Sequence, residues 1–209
     1  MNPGYLTFIL VSVIVILLAC GWKEFLLPGV SNKRLALFFA VWLGGNGIVL
    51  SLGSVHLTLS YAVVAGLSLV LLKTAGDVKQ SLGLVMVSLL IAACDYLFLE
   101  IYSVNPFMTV IDKRADIALI LGSVGVLLNR HPYRQMMILS LALLLGEAWY
   151  QVSHFATKPI KLGTADFMDQ WWLTIFATRV ATATVQEGYR RSKRMMRNLA
   201  NRREREWKE

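Results

Sequence analysis

Three ionisable side chains, Asp95, Glu147 and Arg179, lie deep inside otherwise apolar stretches of this sequence. Brought together away from water, two carboxylates and a guanidinium can lock helices, relay protons or receive a charged solute. Gln151 and His154 follow Glu147 at i+4 and i+7, so the three share one face of a helix. These five residues are the candidate polar cluster, and their chemistry depends on the elements that carry them.

Those elements are apolar and long. The 209 residues are 56% hydrophobic and 16% charged, against roughly 25% charged in a soluble domain. Apolar runs cover Tyr5 to Gly21, Leu35 to Leu52, Leu57 to Leu72, Ser81 to Tyr102, Asp112 to Leu128, Tyr133 to Phe155 and Met168 to Val185. The fold class is therefore all-α, a polytopic transmembrane bundle of about seven spans occupying residues 1–186. The second and third runs together far exceed the ~20 residues of one span, so a tight hairpin must divide them. The fifth run opens with "DKRAD", which leaves its uninterrupted apolar part near the lower limit for a span.

Basic residues orient the bundle, since cytoplasmic loops retain Lys and Arg. Seven spans with the C-terminus inside place Lys23, Lys33, Arg34, Lys73, Lys79, Arg130 and Arg134 in the cytoplasm, and only Lys113, Arg114, Lys158 and Lys161 outside. The N-terminus is then external. Trp171 and Trp172 fall where the last span begins and are expected in the interfacial aromatic belt.

Residues 187–209 hold nine Lys/Arg and four Glu, and so carry five of the +8 formal net charges. On a membrane protein such a tail fixes topology or meets anionic lipid head groups, and nucleic acid is not the expected partner. Arg190, Arg191, Lys193, Arg194 and Arg197 alternate with Tyr189, Met195, Met196, Leu199 and Trp207 at helical spacing. A cytoplasmic amphipathic helix along the inner leaflet is the expectation.

Direction then sets depth. On spans that both run outward, Asp95 precedes Tyr102 by seven residues and Glu147 precedes Phe155 by eight, which puts both roughly 10 to 12 Å below the outer interface. Arg179, the one basic residue deep in a span, leans outward from an inward-running helix and is expected to join them. Asn46, His56, Glu100, Asp112 and Asp116 also fall in the outer half, as an outward polar vestibule would require. Two readings fit these residues, a static lock or a site for transport, sensing or proton transfer.

No H-E-x-x-H, G-x-S-x-G, Walker loop or C-x-x-C is present, so neither catalytic residues, nor a metal, nor a cofactor is expected. "LLAC" at Leu17 to Cys20 belongs to an ordinary first span, since no basic residue precedes Lys23. Cys20 and Cys94 fall at opposite ends of their spans, which argues against a disulfide or a paired metal site. Gly44, Gly45 and Gly47 of "GGNG", with Gly122 and Gly125, suit close helix packing.

The stretch "CGWKEFLLPGVSNK" after the first span, together with the size and spacing of the spans, resembles the YphA-like family of small bacterial membrane proteins. The resemblance implies a multi-pass protein of the bacterial plasma membrane and supplies no catalytic residues. Two function classes follow: a non-enzymatic membrane component acting as an assembly or sensory partner of another membrane protein, or a small-solute or proton-coupled transporter built on Asp95, Glu147 and Arg179.

Overall fold

In a computed structural model of the chain, every residue is described except 1, 28, 75–77, 130, 156–158 and 207–209, and side chains are described except at Leu52 and 197–206. Helices dominate: α1 (Tyr5–Ala19), α2 (Lys23–Leu26), α3 (Asn32–Gly45), α4 (Leu59–Lys73), α5 (Val78–Val104), α6 (Lys113–Leu128), α7 (Pro132–Ser153) and α8 (Ala165–Glu206). Seven of these coincide with the seven apolar runs. The short α2 is an addition between the first and second.

The second run is helical only as far as Gly45. Gly44, Gly45 and Gly47 lower helix propensity there, and Gly47 adopts φ 123°, so the chain turns. The remaining "VLSL" becomes strand β1 (Val49–Leu52), paired antiparallel with β2 (Val55–Thr58) in the register Val49↔Thr58 to Leu52↔Val55. Gly53, φ 62°, is the first residue of the two-residue tip, where a type II′ turn wants glycine. The expected hairpin is thus made of strands rather than two abutting helices. A third strand, β3 (Ile160–Leu162), pairs parallel with β2, and Thr58 Oγ1 donates to Gly163 O at 2.9 Å. The all-α expectation is corrected at this end of the bundle, hereafter the hairpin end.

Within the bundle α5 packs mainly on α7, α6 on α8, α4 on α7, and α1 on α8. Close contacts use glycine: a Cβ on Gly122 would lie 2.9 Å from Thr178 Oγ1, and one on Gly125 2.9 Å from Leu139 Cδ1. Gly44 and Gly66 have open space instead, so packing does not account for them. Trp171 and Trp172 are not an interfacial belt. They are 1% and 4% exposed, because α8 starts at Ala165 and carries them inward before they meet Trp42, Phe38 and Phe39.

The outside of the bundle is apolar. Phe8, Ile16, Leu82 and Leu90 are all exposed, and the most apolar window of α5 is only 33% buried. A core helix of a soluble protein would be covered, whereas burial in hydrocarbon needs no protein cover. Among the described residues, α5 and α7 are long and apolar enough to cross a membrane by themselves. The helix α8 passes residue 186 without a break and continues to Glu206.

Candidate functional site: a polar network across four helices

The parallel pair α5 and α7 brings Asp95 and Glu147 to one level, as depth counting predicts. The two helices approach closely because residue 146 is glycine: a Cβ there would collide with the Asp95 carboxylate. Beside this contact, Tyr96 and Trp149 stack with ring centroids 5.1 Å apart.

Asp95 Oδ1 accepts from Gln170 Nε2 on α8 at 2.7 Å, and Gln170 Oε1 accepts from Arg114 Nη1 on α6 at 2.7 Å. The same Nη1 donates to Glu147 Oε2 at 3.1 Å, and Gln151 Nε2 donates to Glu147 Oε1 at 3.1 Å. The chain Asp95–Gln170–Arg114–Glu147–Gln151 therefore ties α5, α8, α6 and α7 together. Asp95, Glu147 and Gln170 are at most 1% exposed. Gln170 works as a relay because its amide presents a donor to one carboxylate and an acceptor to the guanidinium.

Arg179 is not part of this network. Its Nε and Nη2 donate to the Leu26 carbonyl at 2.9 and 2.8 Å, and Nη1 donates to Gln135 Oε1 at 3.0 Å. Gln135 Nε2 in turn faces Gly125 O, Asn129 O and Thr182 Oγ1 at 3.0, 3.0 and 2.9 Å. The reason is geometric. Arg179 follows Gln170 by nine residues, about 13 Å along the axis and about two and a half turns, so it is deeper and on the opposite face. The expectation that Arg179 pairs with the acids is corrected: it seats α2 and the α6–α7 connection at the other end of the bundle.

Gln151 stands in the network as expected, and His154 does not. His154 Nε2 lies 3.6 Å from Glu100 Oε2, linking the ends of α5 and α7, and its ring packs on Tyr150. Lys113 lies 5.4 Å over the Tyr150 ring. The expected vestibule is also resolved into local contacts. Asp112 Oδ1 accepts from Arg114 N at 3.1 Å as the N-cap of α6, and Asp116 Oδ2 accepts from Val110 N at 2.7 Å. His56 Nδ1 is 2.9 Å from Ser51 Oγ across the hairpin. Backbone amides and neighbouring side chains thus engage Asp112, Asp116, His56 and Glu100.

Arg114 and Gln170 are the residues that sequence reasoning missed. Counting Lys113 and Arg114 as external loop charges overlooks Asp112 ahead of them, an N-cap pattern that puts both in the first turn of a helix. Gln170, Thr174, Thr178 and Thr182 recur every four residues as a polar stripe on one face of α8, and all four are at most 1% exposed.

Beyond residue 186, Arg190, Arg191, Lys193 and Arg194 are exposed, and Arg191 Nε meets Glu187 Oε1 at 3.2 Å. The Arg197 side chain and Trp207 lie outside the described residues.

A helical bundle with an apolar exterior and its ionisable groups paired inside is the construction of an integral membrane protein. The chain belongs to the family of YphA-like integral membrane proteins, whose pattern it matches over residues 22–208. No curated protein and no solved structure matches it.

Proposed function

We propose that the chain is a seven-pass, non-enzymatic component of the bacterial plasma membrane that acts as an assembly or sensory partner. Residues 1–186 form the membrane part, and residues 187–209 are a cytoplasmic basic tail that meets anionic head groups. Alternating helix directions support seven passes. Asp169 near the start of α8 reaches the start of α1, so these two helices begin at the same end. The level contact between α5 and α7 makes that pair parallel. The distribution of Lys and Arg then sets the hairpin end outside.

The observation that carries the non-transport reading is the closure of the polar network. The buried oxygens of Glu147 accept from Arg114 and Gln151, and Asp95 is held by Gln170. Breaking a buried ion pair costs roughly 3 to 5 kcal/mol, which suits a lock between helices better than a carboxylate that must repeatedly exchange its partner. Reconstitution into vesicles loaded with a pH-sensitive dye tests this. A proton or solute flux abolished by Asp95→Asn or Glu147→Gln would replace the lock with the transporter reading. Single-cysteine labelling in intact cells tests the orientation: a cysteine at Ser54 should react with an impermeant reagent, and one at Lys79 should react only after permeabilisation.

A further inference from the structure

A cavity of ≈ 520 Å³ lies between α1, α3, α4, α7 and α8, on the side of the bundle remote from the polar network. It exists because α3 packs on α4 but meets α8 through aromatic side chains, Phe38, Phe39 and Trp42 against Trp171 and Trp172. The space between these helices is left unfilled. Its volume is within the roughly 300–1,000 Å³ of small-molecule sites.

The lining is divided by chemistry. The walls are aliphatic and aromatic, with Ile14, Leu67, Leu71, Phe38 and Ile175 among them. Its polar rim comes from three helix ends at one end of the bundle: Arg34 in the first turn of α3, Thr74 capping α4, and Tyr133 in the first turn of α7. Arg179 also borders the cavity, but its guanidinium is spent on Leu26 and Gln135. Arg34 is exposed, and among the described residues its guanidinium has no acceptor and no carboxylate lines the cavity. The cavity also reaches the lipid-facing surface, since Leu37 and Val70, both lining it, are 65% and 59% exposed.

We infer that this cavity is a binding site for one anionic membrane phospholipid, its acyl chains among the α1, α3, α4 and α8 side chains and its phosphate at Arg34. The shape is that of an amphiphile: an apolar chamber open to the bilayer, with one uncompensated cation at the depth of the head groups. A free anion would bind Arg34 without using the chamber. A lipid without a phosphate, such as diacylglycerol, would use the chamber without using Arg34. The inference rests on the membrane reading of the bundle proposed above, but not on which end faces the cytoplasm.

The test uses the full chain purified in a neutral detergent and stripped of lipid, titrated with phosphatidylglycerol, diacylglycerol or inorganic phosphate. Lipid retained per chain is counted by native mass spectrometry, and unfolding temperature is recorded in parallel. Phosphatidylglycerol should bind at one per chain and raise the unfolding temperature, and phosphate should do neither. Arg34→Gln should lower the affinity for phosphatidylglycerol about fivefold and leave diacylglycerol unaffected. Leu71→Trp and Leu67→Phe, which fill the chamber from α4, should abolish retention while keeping the helical content of the parent; two variants guard against one that fails to fold. Equal retention of both lipids by the parent chain, undiminished phosphatidylglycerol binding in a folded filled variant, or an unchanged affinity in Arg34→Gln would each overturn the inference. A flux or labelling result contrary to the proposed function would leave these measurements standing.

Discussion

The carboxylate of Asp95 lies directly against the Cα of Gly146, where any side chain would collide with it. Gly146→Ala should therefore destabilise the bundle even though alanine favours helix by about 1 kcal/mol over glycine. Overpacking of this kind costs typically 1–3 kcal/mol. Thermal unfolding in detergent should show a lower midpoint for Gly146→Ala and a partial recovery in Gly146→Ala with Asp95→Ala. Additive losses in the double variant would mean that the two residues do not meet.

Arg114 holds the network's cation, so Arg114→Leu leaves Glu147 buried without its charged partner. The expected loss is on the order of 3 to 5 kcal/mol. Removing the carboxylate as well, in Arg114→Leu with Glu147→Leu, should recover much of it. A double-mutant cycle reads the coupling directly, and a coupling energy near zero would exclude the pairing.

Arg179→Leu should behave differently. It loses the bonds to Leu26 and Gln135, and replacing Asp95 and Glu147 by apolar residues should not rescue it, since neither is within its reach. Protease susceptibility of the α2 segment is expected to rise in Arg179→Leu and to remain at the parent level in Arg114→Leu. A rescue of Arg179→Leu by loss of the two acids would put all three charges back in one site.

Asp169 accepts from the amides of Gly4 and Thr7 at 2.7 and 2.6 Å. Gly4 is the N-cap of α1 and has no side chain to offer, so the carboxylate of α8 performs the capping from another helix. Asp169→Ala should cost about 1.5–3 kcal/mol, the range for hydrogen bonds to a charged group. Amide exchange measured by mass spectrometry should accelerate in the first turn of α1 while the α5–α7 contact stays protected. Unchanged exchange there would remove the capping role.

Much of the fold is legible in the sequence because apolar runs of this length leave the chain few options other than helices. Seven of the helices follow from that alone. The level placement of Asp95 and Glu147 follows from counting along two helices of one direction. What escapes is what depends on local breaks and on neighbours remote in sequence. Packing holds in "GGNG" at Gly45, whose added Cβ would lie 3.2 Å from Leu59 Cγ, but the stretch also ends α3 and hands the chain to a strand, and β3 pairs with β2 across about a hundred residues. Arg179 was assigned to the acids by depth without regard to azimuth, and a half-turn separates it from Gln170. Arg114 escapes because charge counting assigns it to an external loop, whereas a long side chain in the first turn of a span can reach down beside a buried carboxylate.

The unbroken course of α8 has a mechanical consequence. Its 42 residues make a rod of about 63 Å, roughly twice the ~30 Å hydrocarbon thickness. The half that packs in the bundle and the half that extends past residue 186 are one lever. A tilt of about 10° at the bundle would swing the far end sideways by about 5 Å over a 30 Å arm. If the helix moves as one body, small repacking around Gln170, Arg179 or the cavity wall at Ile175 would be carried, without a hinge, to the residues past 186.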